Sequence, residues 1–201
     1  MEALFSNKKK NLFVLICAVL YFVLTVITML ETGFYLTLQG IQSLLLTMAS
    51  LILVFAICTV NKDFKFKKFA FPASFALFTA AYLLSSVSSA VTILFYLDEP
   101  LVAAMFSLNF VILFAHISML ISACSNFKKI IFLRIGALAF IISTILLLIL
   151  EFINVGGVEY FASLPEGVTA VSYYSAVKTT VIIMFYFSLF LLTITKDKKQ
   201  A

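Results

Sequence analysis

Residues 128–151 read KKIIFLRIGALAFIISTILLLILE: two lysines, an apolar run from Ile130 to Leu150 whose only charge is Arg134, then Glu151. A run of about 20 apolar residues is what an α-helix needs to cross roughly 30 Å of hydrocarbon. In that medium only a helix or a closed barrel satisfies its own backbone. The stretch therefore predicts a transmembrane helix with a basic and an acidic end. Five more runs repeat the pattern, at 12–30, 41–60, 69–97, 101–124 and 176–195, so that with 130–150 the chain is expected to be an all-α bundle of six spans.

Composition agrees. Of 201 residues, 64% are hydrophobic and 11% charged, with mean hydropathy +1.17, whereas a soluble domain is about half apolar and a quarter charged. Outside the spans the longest polar segment, Glu151 to Ser175, is itself half apolar, so one transmembrane domain over 1–201 and no soluble catalytic domain is expected.

The connections alternate in charge. Lys8, Lys9 and Lys10 precede the first run, Lys62, Lys65, Lys67 and Lys68 follow the second, Lys128 and Lys129 follow the fourth, and Lys196, Lys198 and Lys199 end the sequence. Glu31, then Asp98 and Glu99, then Glu151, Glu159 and Glu166 occupy the other connections. One face thus carries 13 basic and three acidic residues, a balance of +10, and the other carries six acidic residues and Lys178, a balance of −5. Because short basic loops are retained in the cytoplasm, both termini are expected to be cytoplasmic in a multi-pass cell-membrane protein, with the bilayer as its first partner. Tyr35, Tyr96, Tyr160, Tyr173 and Tyr174 fall at the other surface, where an aromatic belt belongs. The net charge of +5 is then a by-product of topology, and no nucleic-acid partner is expected. The first run is longer than a signal-peptide core and has no A-x-A-like site before Glu31, so it is expected to be retained.

Cys17, Cys58 and Cys124 have no CxxC or zinc spacing and lie in the halves of their spans nearest the lysines, so small packing residues and no disulfide are expected. Thr59-Val-Asn-Lys-Asp63 and Thr193-Ile-Thr-Lys-Asp197 end two spans alike, a pattern that the charge bias alone also generates. The third run exceeds the bilayer thickness, and Pro72 suits a first helical turn, which predicts a membrane helix beginning near Pro72 with Phe64, Phe66 and Phe69 at the interface. Between Glu151 and Ser175, Ser163-Leu-Pro-Glu166 reads as a helix start, predicting a short outer helix, a lid or a linker, ahead of the last span.

Polar residues inside spans are the functional candidates. Ser74, Ser85, Ser88 and Thr92 project within about 40° of one direction and form a hydroxyl stripe that either packs helices or lines a path. Asn109 and His116 stand two turns apart on one face of the fourth span, placed to contact a ligand or neighbouring helices. Arg134 and Lys178 lie near opposite ends of their spans as interface anchors, Lys178 within reach of Glu151, Glu159 or Glu166. No Asp or Glu falls within a span, which disfavours proton or sodium coupling. One His without clustered Cys or acidic partners gives no metal site, and no hydrolase, Walker or dinucleotide motif occurs, so no catalytic residue, metal or cofactor is expected.

In layout the chain is similar to the substrate-binding membrane subunits of energy-coupling-factor transporters, with about 200 residues, six helices and both ends inside, though its first span carries no AxxxA pattern. That resemblance implies a small transport-related component binding a neutral or apolar solute alongside partner subunits. The alternatives are a non-catalytic interaction, regulatory or immunity protein that contacts other membrane subunits or itself, and a membrane-embedded enzyme. Asn109 and His116 discriminate: facing a cavity, they favour binding, and meeting side chains in a filled core, they favour interaction.

Overall fold

The computed structural model describes residues 4–5, 7–32, 37–60, 67–95, 99–154 and 166–194, with the backbone alone for residue 67 and for 166–174. Among these residues are six helices: α1 (Lys8–Thr32), α2 (Leu38–Thr59), α3 (Lys67–Phe95), α4 (Pro100–Cys124), α5 (Ile130–Asn154) and α6 (Glu166–Ile194). All six are long and apolar enough to cross a membrane. Each packs on the next in sequence, and α6 closes the ring against α5 and α1. Aliphatic side chains such as Leu12, Ile16, Leu51, Ile135 and Ile149 face outward, while aromatic rings and hydroxyls fill the centre. This inversion of the soluble pattern is the one suited to a solvent as apolar as leucine, in which helices associate by packing and hydrogen bonds.

Polar ties cross the helix pairs accordingly. Thr25 and Ser50 hydroxyls are 3.0 Å apart and Thr47 donates to the Thr25 carbonyl, joining α1 to α2. Ser74 donates to the Ala49 carbonyl at 2.7 Å, joining α2 to α3. The α4–α5 contact instead uses small residues: Gly136 lies so close to α4 that a Cβ there would stand 2.5 Å from the Ala115 carbonyl oxygen.

The end bearing Lys8, Lys9 and Lys10 is closed by a ring cluster. Phe5 and Phe71 centroids are 5.3 Å apart, Phe71 and Phe127 5.2 Å, and Phe5 and Phe127 6.3 Å. Asn126 and Phe127 end α4 in the left-handed region, at φ 50° and 58°, a conformation costing about 1–2 kcal/mol per non-glycine residue. Burial of the Phe127 ring offsets that cost, and its N–H finds the Ser122 carbonyl at 2.8 Å. At the same end Asn7 caps α1 by accepting from the Lys9 N–H, and Asn11 donates its amide to the Phe5 carbonyl. Lys10 donates to the Leu191 carbonyl and Arg134 to that of Thr193, two cations on the carbonyl terminus of α6 where the helix dipole favours them.

Two expectations are revised. The third helix begins at Lys67, so Pro72 sits inside it rather than in its first turn. The turn ahead of the proline is held by Phe71, 2% exposed within the ring cluster, although Phe69 is 69% exposed as an interfacial residue would be. The last helix runs unbroken from Glu166 to Ile194, absorbing the separate outer helix expected before it. Phe64 and Phe66, the helix start at Ser163 and Pro165, and the lid around Gly156 lie outside the described residues.

Candidate functional site

The centre of the bundle is aromatic. His116 is fully buried on α4, with Tyr82 stacked on it at 4.0 Å and the ring of Phe140 set edge-on at 5.3 Å. Its Nδ1 is 2.8 Å from the Ile112 carbonyl, which can only accept, so Nδ1 carries the proton. Nε2 of the neutral ring then accepts from the Tyr186 hydroxyl, 2.7 Å away on α6. The Tyr186 ring also meets that of Tyr21 edge-on at 6.3 Å, so one cluster of rings brings α1, α3, α4 and α6 together.

Above this cluster, toward the end bearing Glu31, Glu99 and Glu151, the helices part. A partly enclosed cavity of about 350 Å³ lies between α1, α2, α3 and α6. Tyr21 and Tyr82 form its floor, Thr25, Thr28, Thr32 and Ser43 a hydroxyl wall, Gln39 and Gln42 an amide edge, and Lys178 the single cationic group among the described residues that line it. That volume lies within the roughly 300–1,000 Å³ range of small-molecule sites. The geometry is set by helix periodicity: Thr25, Thr28 and Thr32 recur on one face of α1, and Lys178, Ile182 and Tyr186 on one face of α6. Thr32 ends α1 and Gln39 lies in the first turn of α2, so the cavity reaches the end of the bundle.

The residues singled out from the sequence fall elsewhere, with one exception. Asn109 donates its amide to the Ser89 hydroxyl at 2.8 Å and accepts from Ser86 at its carbonyl. Asn109, half-buried, and His116, fully buried, therefore meet neighbouring helices rather than the cavity described above. Ser74 is likewise spent on a backbone carbonyl of α2. The serines that α3 offers to α4 are Ser86 and Ser89, whereas Ser88 is exposed, and Ser85 and Thr92 are half-buried. Arg134 binds Thr193 through both its Nε and a terminal nitrogen. Lys178, read as an anchor, lines the cavity. Among the described residues no ion pair joins it to Glu151; Glu159 and the side chain of Glu166 lie outside them. Sequence reasoning passed over Thr25, Thr28, Thr32, Gln39 and Gln42, though the threonine spacing of three and four along α1 was a visible signal.

Among the described residues no group of three His, Cys, Asp or Glu side chains is placed to hold a metal ion. No protein-family model, no curated protein and no solved structure matches the chain, so the likeness to energy-coupling-factor subunits rests on layout alone.

Proposed function

We propose that this multi-pass protein is a small solute-binding membrane component, with its lysine-rich end in the cytoplasm and its cavity facing the exterior. One observation carries the reading: a bundle with an aliphatic exterior keeps a cavity of about 350 Å³ lined with six hydroxyl side chains, two of them tyrosines, two amides and a lysine. Polar and ionisable residues are costly in hydrocarbon, and a group of them around a cavity marks a substrate or ion site. The hydroxyls, amides and lysine of the lining favour a polar solute over the neutral or apolar one expected from the sequence. Transport, in this reading, is completed with partner subunits that supply the driving energy.

The test is access. In a background with Cys17, Cys58 and Cys124 replaced by alanine, Thr28→Cys should react with the small neutral reagent methyl methanethiosulfonate from the outside of intact cells. A Phe71→Cys counterpart at the closed end should not react. Silence of the Thr28→Cys thiol in a correctly inserted protein would remove the reading.

One set of contacts favours a second reading, a non-catalytic interaction or regulatory protein. Asn109, His116 and Ser74 all serve helix–helix bonds. Co-purification of another membrane protein, together with an inaccessible thiol in the Thr28→Cys variant, would favour it.

A further inference from the structure

The proton inventory of the cavity limits what it can hold. Every wall hydroxyl already donates to its own helix: Thr25 to the Phe22 carbonyl at 2.8 Å, Thr28 to Leu24 at 3.0 Å, Thr32 to Thr28 at 3.0 Å, and Ser43 to Gln39 at 2.9 Å. A hydroxyl has one proton and two lone pairs, so these groups turn acceptors toward the cavity. On the floor Tyr186 gives its proton to His116, while the phenols of Tyr21 and Tyr82, which line the cavity, can accept as well as donate. Beyond those phenols, the donors left for a ligand are the amides of Gln39 and Gln42 and the ammonium of Lys178, all toward the open end.

The amide and ammonium donors are thus gathered at the open end, with acceptors along the wall and phenols able to accept on the floor. Resting on the solute-binding reading above, we infer that the cavity takes a small organic carboxylate bearing a hydroxyl or N–H donor at its far end. The carboxylate lies against Lys178 and the two glutamine amides, and the donor points down to Tyr21 and Tyr82. Lys178 and Tyr186 are eight residues apart on α6, about 12 Å along the axis, so a molecule of five or six chain atoms between its two ends spans the gap with the side chains included. A charge-assisted bond in a site with low-dielectric walls is roughly twice as strong as a neutral one, which makes Lys178 the residue that selects the ligand's sign.

The test uses the Thr28→Cys protein, whole and in membranes, with two methanethiosulfonates of similar size, the sulfonatoethyl anion and the trimethylammonioethyl cation. With Lys178 present the anion should react faster relative to the cation, by about tenfold, the low end of what focused local charge achieves. Lys178→Met should bring the ratio near that of a free thiol, and Lys178→Arg should keep it. Lys178→Gln, which retains a polar head, replaces the Met variant if that fails to accumulate. In the second arm, 6-hydroxyhexanoate should protect the introduced thiol from methyl methanethiosulfonate better than hexanoate, and 6-hydroxyhexanamide should protect little. A ratio indifferent to Lys178→Met, or equal protection by the acid and the amide, overturns the inference while the cavity stands. No reaction with any of the three reagents overturns the solute-binding reading itself.

Discussion

The Nε2 of His116 lies 2.7 Å from the hydroxyl of Tyr186, across the axis of the bundle from α4 to α6. This bond fixes more than its two partners. Tyr186 stacks on Phe140 at 3.6 Å, and Tyr21 stacks on Phe185 at 4.8 Å, so the cluster sets the height of the cavity floor on four helices at once.

Tyr186→Phe keeps the ring and removes the donor, leaving Nε2 of His116 buried without a partner. The expected loss is about 1–3 kcal/mol, or roughly 2–4 °C in the unfolding midpoint per kcal/mol for a chain of this size. His116→Ala should cost more, because it also opens a void among Phe78, Tyr82 and Phe140. Thermal unfolding of the detergent-purified protein measures both; a Tyr186→Phe midpoint equal to that of the parent would show that the bond is not formed.

Gly136→Ala should destabilise by about 1–3 kcal/mol, the usual cost of overpacking. The added methyl meets the Ala115 carbonyl oxygen at 2.5 Å and the Met119 Cγ at 2.7 Å, and the first of these is backbone that cannot turn aside. The same unfolding assay applies, and a neutral or stabilising result would mean that α4 and α5 stand further apart.

Two neighbouring serines give a direct comparison of faces. Ser89→Ala leaves the Asn109 amide without its acceptor and should lose about 1 kcal/mol, whereas Ser88→Ala, at an exposed position, should be within about 0.5 kcal/mol of the parent. The opposite ranking would place the α3–α4 contact on the stripe through Ser85 and Ser88.

Arg134→Met frees the last carbonyls of α6 and should cost about 1–2 kcal/mol, since hydrogen bonds from a charged group are the stronger ones. Arg134→Lys should recover only part of this, because one ammonium cannot reproduce a planar fork on both the hydroxyl and the carbonyl of Thr193. Proteolysis of the chain after Thr193 measures fraying at that end; cleavage rates equal to the parent's in the Met variant would discount the cap.

The helices were legible because each requires only a local property, a run of apolar residues of sufficient length, and each expected span overlaps an observed helix. What faces what was less legible. On α3 the hydroxyls suggested a stripe through Ser74, Ser85 and Ser88, but the buried face follows Phe71, Phe75, Phe78 and Tyr82 and shifts the contact to Ser86 and Ser89. Aromatic rings each bury about 150–250 Å² and outweigh a hydroxyl in choosing a face. Lys178 was read from its depth alone. Its position beside Thr28 and Gln42 depends on how α6 closes against α1, a long-range pairing that no local pattern encodes.

The rings of Phe5, Phe71 and Phe127 make the bundle a cup rather than a pipe. Between the tyrosine floor and the lysine-bearing end stand those three rings, so the cavity has one mouth, at the end bearing Thr32 and Gln39. Phe5 precedes the first helix and Phe127 sits in the turn after α4, so of the three rings only Phe71 is carried by a helix.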